Sequence, residues 1–211
     1  MLIVSAEQMR TIESNSLKYD LTMPRLMENA GSAAAKAITD IADVKSIGCV
    51  VFSGRGNNGG DGFVVARRLY EQGAHVLLVL VDGTSKTPQA AQMYSFLSVL
   101  EIPVLTLPED LELVRGYSMN ADLIVDAIYG IGFRGRLDGN AKLATQIINS
   151  ADAKVVSLDT PSGIEADKGN ISVDSVRANH TIAFEFLKPL HIFPQSAKYC
   201  GKIETVDIGI P

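Results

Sequence analysis

Residues 53–62 read SGRGNNGGDG, and they follow a short apolar segment at 47–52. Gly54, Gly56 and Gly59 satisfy the pattern G-x-G-x-x-G, in which glycines allow backbone N–H groups to approach a ligand closely. A buried strand, a glycine-rich turn and a helix together form the first unit of a dinucleotide-binding sheet. The segment therefore predicts a parallel α/β fold with a ligand site at this turn.

Outward from this turn, apolar segments alternate with helix-forming ones, which is typical of βαβ units. Ser5 and Gln8 predict a capping box for a first helix, and Pro24 suits the first turn of a second. We predict strands at 47–52, 75–81, 103–106, 122–126, 154–158, 181–184 and 203–206, and helices at 61–72, 87–100 and 140–150. This pattern predicts a three-layer α/β fold with a mostly parallel central sheet and helices on both faces. We expect a single domain over residues 1–211.

The composition narrows the classes of partner. The chain has 211 residues, of which 46% are hydrophobic and 20% charged, and its net charge is −5. Nucleic-acid binders are usually basic, so we expect no nucleic-acid partner. The apolar segments are too short to span a membrane, and the N-terminus does not resemble a secretory signal. Cys49 and Cys200 lack metal-ligand spacing, so we expect a reduced, cytoplasmic protein.

The same turn carries features that a simple phosphate cradle does not need. Asn57 and Asn58 offer amide groups that suit hydroxyls, carboxamides or a cation. We expect Asp61 in the first helical turn, where its charge would repel a diphosphate. Asp82 lies where a ribose-binding acid belongs in a dinucleotide fold, which favours the alternative of an NAD-dependent oxidoreductase.

Two further loops follow predicted strands. Asp126 ends the strand 122–126 and begins the loop DAIYGIGFRGR, whose Arg134 and Arg136 either hold phosphates or are solvated surface residues. Asp159 ends the strand 154–158 and begins the turn DTPSG. Because it lies at a third strand end, we interpret it as a catalytic acid or base rather than a simple turn residue.

One oxygen-bearing side chain in each loop suggests a further site. Asn58, Asp126 and Ser162 carry amide, carboxylate and hydroxyl oxygens, which are ligands that hard cations accept. Spacing alone identifies no fixed metal motif among them.

Five segments together resemble the NAD(P)H-hydrate epimerase family. The first and third are specific, and their order along the chain also matches. They are GRGNNGGDGFVVARRL (54–69), DAIYGIGFRGRLDG (126–139), VVSLDTPSGIEADKG (155–169), EQMRTIESNSLKYDLTMPRLMENAG (7–31) and ANHTIAFEFLKPLH (178–191).

This resemblance implies a Rossmann-like domain that interconverts the R and S forms of hydrated NADH or NADPH at C6 of the nicotinamide ring. A separate dehydratase then uses the S form. The length leaves no room for a fused dehydratase, so we expect a free-standing epimerase. The family resemblance also implies a homodimer and one potassium ion per subunit.

The resemblance also assigns residues. Asn58, Asp126 and Ser162 would hold the potassium ion, and Asp159 would contact the substrate. Because the reaction needs one group that alternates as acid and base, we interpret Asp159 as that group. The residues expected to contact the substrate are Asn57, Asn58, Gly59, Gly60, Asp61, Gly130, Ile131, Gly132, Phe133, Arg134, Gly135, Arg136 and Asp159.

The chain departs from the family pattern at two places. Leu190 follows Pro189 where glycine is common, and the segment Arg134–Leu137 lacks the Arg-Pro-Leu that the family often shows. Lys188 is therefore either a site residue or a surface lysine beside a turn. A non-catalytic scaffold is a third alternative, although such modules are expected to lose the NNGGD stretch and the acid at the strand end.

Overall fold

The computed structural model describes residues 2–211. Its seven named strands form one sheet, and every neighbouring pair runs parallel. The strands are β1 (Gly48–Ser53), β2 (His75–Leu80), β3 (Val104–Thr106), β4 (Leu123–Ala127), β5 (Lys154–Leu158), β6 (His180–Phe184) and β7 (Lys202–Val206). The "mostly parallel" sheet predicted from the sequence is thus wholly parallel among the described strands.

Helices cover both faces of the sheet. They are α1 (Ala6–Ser16), α2 (Met23–Ile41), α3 (Asn57–Glu71), α4 (Pro88–Ser95), α5 (Leu111–Met119), α6 (Gly139–Ser150) and α7 (Pro194–Ala197). Val51 of β1 packs into a core formed with α2, α3 and α4, whereas its neighbour Phe52 packs into a second core with α5 and α6. This alternation along one strand is what a sheet buried on both faces requires, and it confirms the three-layer prediction.

The strand order is β3-β2-β1-β4-β5-β6-β7, so the chain reverses direction across the sheet between β1 and β4. Ligands of such folds bind beyond the carboxyl ends of the strands at this switch point. The loops after β1 and β4 meet there. A Cβ atom on Gly54 would lie 2.1 Å from the Ile128 carbonyl oxygen, and one on Gly59 would lie 1.9 Å from the Gly54 carbonyl oxygen. Only glycine therefore permits this close packing of the two loops.

Several sequence predictions are confirmed and others need correction. The Ser5–Gln8 capping box is present, and Pro24 lies in the first turn of α2. Helix α3 begins at Asn57, not at residue 61, so Asp61 is its fifth residue and lies beyond the first turn. Helix α5 was not predicted, because its nine residues include a glycine and bury only two side chains.

None of the helices within residues 2–211 is both long and apolar enough to cross a membrane.

Candidate active site

A buried ion pair lies beyond the carboxyl ends of β5 and β6. Lys188 Nζ donates to Asp159 Oδ1 at 2.5 Å and to the Phe184 carbonyl oxygen at 2.8 Å. The Lys188 side chain is fully buried. Of the two interpretations of Lys188, the surface lysine is therefore wrong: the chain after β6 turns the side chain inward toward the strand-end carboxylate.

The two oxygens of the Asp159 carboxylate differ. Oδ1 accepts from Lys188 and from the Phe184 backbone N–H, at 3.3 Å for the latter. Oδ2 accepts no hydrogen bond from any residue between 2 and 211. One oxygen is thus held in place by the protein, while the other remains available for proton exchange with a ligand.

The backbone of Asp159 is strained. Its φ of +62° lies in the left-handed region, which non-glycine residues adopt uncommonly. The Asp159 N–H donates to the Ile182 carbonyl at 2.7 Å, and the Thr160 N–H donates to the Leu158 carbonyl at 2.7 Å. These bonds fix a tight turn directly after β5. Strain of this kind at a strand end is characteristic of functional sites.

His191 holds the two members of the ion pair together. The Lys188 backbone N–H donates to its Nδ1 at 3.0 Å, and its Nε2 lies 2.9 Å from the Asp159 carbonyl oxygen. Nδ1 is therefore an acceptor, which assigns the proton to Nε2. Burial lowers the pKa of His191 to about 4, so the ring is neutral near pH 7. These contacts give His191 a structural role.

Asp126 is a second buried carboxylate, at the end of β4. Its Oδ1 accepts from Ser162 Oγ at 2.6 Å and from the Ile128 N–H at 3.3 Å. Its Oδ2 accepts from Ser157 Oγ at 2.8 Å and from the Ser162 N–H at 2.8 Å. Burial raises the pKa of Asp126, and these hydrogen bonds oppose that effect. No Lys or Arg side chain of residues 2–211 pairs with it.

Asn58 lies where the first and second loops meet. It is buried, and its side-chain Nδ2 has no hydrogen-bond partner among residues 2–211. A Cβ atom on Gly130 would lie 3.2 Å from Asn58 Oδ1. By contrast, Asn57 is exposed and accepts a hydrogen bond from Gln89 at 2.8 Å. The two asparagines that are adjacent in sequence therefore have different surroundings.

The predicted contact segment Gly130–Arg136 forms most of the loop after β4, and its side chains differ in orientation. Phe133 is buried in the core beside α6. Arg134 donates to the Ile131 and Phe133 carbonyls and pairs with Asp167 at 3.1 Å. Contacts within the protein thus occupy several of the donors of the Arg134 guanidinium. Arg136 is exposed and has no side-chain hydrogen bond within residues 2–211. It is the freer of the two arginines for an anionic ligand.

Sequence reasoning missed Glu13 on α1. Its carboxyl lines a small cavity together with Asn57 and Asp61. The signal was present in the sequence, because Met9, Ile12 and Ser16 stand at helical spacing around Glu13 and mark the buried face of α1. An acidic residue on a buried helix face is uncommon unless it has a role.

The comparisons with known proteins identify the family. Residues 24–190 match the family described as YjeF-related protein N-terminus. The NAD(P)H-hydrate epimerase of Pirellula staleyi is 33% identical, over 92% of this chain and 86% of that protein. A bifunctional NAD(P)H-hydrate repair enzyme of Archaeoglobus fulgidus is 34% identical over the whole chain, which spans 42% of that longer protein. A yeast protein of known crystal structure superposes with a TM-score of 0.81 at 25% identity, covering 98% of this chain and 88% of that one.

The parallel sheet and the carboxylates at its switch-point edge define a Rossmann-like enzyme domain. More specifically, the chain belongs to the YjeF-related N-terminal family, in which its relatives are NAD(P)H-hydrate epimerases.

Proposed function

We propose that this protein is an isomerase that interconverts the R and S epimers of hydrated NADH and NADPH at C6 of the nicotinamide ring. The observation that carries the proposal is the Asp159 carboxylate, which has one oxygen free beside the two glycine-rich loops. The names of the relatives identify the substrate class. The loop residues 57–61 and 130–136 would contact the substrate.

The chemistry follows from the substrate. C6 bears both a hydroxyl group and the ring nitrogen. If an acid protonates the hydroxyl, the nitrogen lone pair expels water and leaves a planar iminium ion, to which water can return from either face. Asp159 Oδ2 would exchange the proton in this reaction, as a general acid and base.

Lys188 and His191 would support this role. The buried ammonium of Lys188 neutralises the ionised carboxylate, which would otherwise be costly to bury. It also fixes Oδ1, so that Oδ2 keeps a constant orientation. The neutral His191 ring bridges the Lys188 and Asp159 backbones and would hold the two side chains at a fixed separation. Both would act as positioning residues.

Asn58, Asp126 and Ser162 would hold a potassium ion, one per subunit. Their amide, carboxylate and hydroxyl oxygens suit a hard monovalent cation, and the Tyr129 carbonyl lies 3.4 Å from Ser162 Oγ. A buried carboxylate that has no basic partner among the described residues fits such an ion, and the Asn58 side-chain oxygen would add a further ligand. The ion would supply positive charge that joins the three loops. Ser162 Oγ would need to redirect its proton from Asp126 toward another acceptor.

The proposal includes further associations. The bifunctional relatives carry a second activity in one chain, which supports a functional partnership with a separate dehydratase. Leu17 and Tyr19, just after α1, are 50% and 68% exposed, which favours burial of this end in a homodimer. Cys49 and Cys200 are free thiols, which suits the reducing cytoplasm.

The direct test uses a purified mixture of R and S hydrated NADH from which an S-specific dehydratase has removed the S form. Proton NMR then follows the R form in potassium buffer, with and without the protein. Protein-dependent appearance of the S form supports the proposal. If the S form does not appear and intact NAD instead raises the melting temperature, the oxidoreductase alternative is favoured. If neither ligand has an effect, the scaffold alternative is favoured.

A further inference from the structure

Glu13 is held over the carboxyl edge of the sheet by contacts at the start of α1. The Val4 N–H donates to the Leu187 carbonyl at 2.9 Å, and the Ala6 N–H donates to Asp167 Oδ1 at 2.7 Å. Met9 is buried in the core. The helix is therefore anchored at its N-terminal end, and its buried face carries Glu13 toward Asp159 and Lys188.

The carboxyl of Glu13 lines a cavity of about 40 Å³, a size that suits one or a few water molecules. Asn57 and Asp61 supply its other polar groups. Asp61 is 92% buried, and its side chain has no hydrogen-bond partner within the described chain. The remaining walls are apolar: Met23, Leu26, Met27, Ala30, Phe184 and Ile208. Two acids and one amide residue thus line a small space beside the candidate active site, and its remaining walls are apolar.

The charges around this cavity do not balance. Burial is the main cause that raises the pKa of Glu13 to about 7, the charge of Asp159 adds to it, and Lys188 and Arg10 oppose it. Burial also raises the pKa of Asp61, and the charges of Asp159 and Glu13 raise it further against Lys188. Three acids therefore face one buried lysine and one exposed arginine, and the excess of negative charge favours a protonated Glu13.

Epimerisation places a stereochemical demand on the site. The hydroxyl leaves one face of the nicotinamide ring, and water must return to the other face. One carboxyl cannot reach both faces of a bound ring in a single turnover. Asp159 serves one face, so the reaction calls for a second proton-carrying group together with space for a water molecule.

Resting on the proposed function, we infer that Glu13 is this second catalytic residue and that its cavity receives the water on the face that Asp159 does not serve. In one direction Glu13 donates its proton to the C6 hydroxyl, the C6–O bond breaks, and neutral water leaves. Asp159 then removes a proton from a second water molecule while the oxygen of that water bonds to C6. In the other direction Asp159 donates and Glu13 accepts. One proton passes through the pair in each turnover, and no redox partner is involved.

The test is Glu13→Gln, which keeps the shape of the side chain but cannot carry the proton. We expect kcat to fall about 100-fold in both directions, within the range of general acid–base contributions. Glu7→Gln, on the exposed side of the same helix, should stay within about twofold of wild type. Glu13→Asp should recover part of the activity. Wild-type kcat/KM should fall as pH rises through about 7, because Glu13 then loses its proton. This decrease should be absent from the residual activity of Glu13→Gln.

Thermal melting separates this role from a structural one. The folded-state pKa of Glu13 lies above its ordinary value of 4.5, so its ionisation destabilises the fold as pH rises from about 4.5 to 7. Glu13→Gln should therefore melt higher than wild type at pH 8 and about equally at pH 4, below both pKa values. Full activity of Glu13→Gln, an unchanged pH-dependent decrease or a lower melting temperature at pH 8 would each overturn the assignment. An inactive wild-type protein would instead refute the proposed function.

Discussion

Asp126 and Asp159 end adjacent parallel strands, and both are buried, yet their surroundings differ. All four hydrogen bonds to Asp126 come from backbone or serine groups of its own loop, of strand β5 and of the loop after β5, and they engage both oxygens. Asp159 pairs with a lysine through one oxygen and leaves the other free. Fold position alone therefore does not assign a role to a strand-end acid. The number of unsatisfied oxygens and the sign of the nearest charge distinguish a binding carboxylate from a catalytic one.

The largest effect that this comparison predicts is at Asp159. Asp159→Asn removes the proton-carrying oxygen while it preserves the size of the side chain, so we expect kcat to fall about 1,000-fold or more. Asp152→Asn, which changes an exposed acid just before β5, is the matched control and should retain wild-type kinetics. Circular dichroism checks that both variants fold. Near-normal turnover by Asp159→Asn would show that Asp159 is not catalytic and that its free oxygen does not distinguish it from Asp126.

The next effect concerns Lys188. Lys188→Met keeps the length and apolar stem of the side chain but leaves Asp159 as a buried, unpaired carboxylate. We expect kcat to fall about 100-fold and stability to fall by about 3–5 kcal/mol, because loss of one partner of a buried pair is costly. Urea unfolding and steady-state kinetics measure the two effects. Lys168→Met, at an exposed lysine, should change neither kcat nor stability. If Lys188→Met also changed neither, the ion pair would have no role.

A smaller effect is expected at Asp126. If it binds potassium, potassium chloride should raise the melting temperature of the wild type above its value in sodium chloride at equal ionic strength. Asp126→Asn should abolish that difference and lower kcat about 10-fold. Asp122→Asn, at the opposite end of β4, should preserve it. Equal melting temperatures of the wild type in both salts would contradict the cation assignment.

The smallest predicted effect tests the contact between the first two loops. A methyl group on Gly54 would overlap the Ile128 carbonyl, so Gly54→Ala should lower the free energy of unfolding by about 1–3 kcal/mol. Gly56→Ala is the control in the same loop, because its added Cβ would meet no atom within 4 Å. Calorimetry that ranked Gly56→Ala as the more damaging change would show that the two loops do not pack as described.

Local patterns were sufficient to predict most of the fold. Apolar segments bounded by glycine or a polar residue predicted β1, β2, β4 and β5 within one or two residues, because strands buried on both faces are continuous apolar runs. Helix α5 was missed because its signal is weak. The beginning of α3 was placed four residues late, since Asn-Asn-Gly-Gly is typical of turns and only contacts with the neighbouring loop make it helical.

The site was predictable where strand ends supply its residues and less so elsewhere. Asp126 and Asp159 could be singled out because parallel strands bring their carboxyl ends to one edge. The sequence left the role of Lys188 open, since nothing local shows that its side chain turns inward after β6. Glu13 is 146 positions from Asp159 in the sequence, and only the packing of α1 brings it to the site. Contacts across such separations are set by tertiary structure.

The central claim is that water leaves C6 and returns to it by acid–base catalysis at the strand ends. The most direct measurement is epimerisation of the R form in water enriched in ¹⁸O, with mass spectrometry of the S product and a control without protein. The account predicts that each S molecule formed by the protein carries one solvent oxygen at C6. If the S form appears at the same protein-dependent rate but keeps the original oxygen, the C6–O bond has not been broken, and the roles given to Asp159 and Glu13 are contradicted.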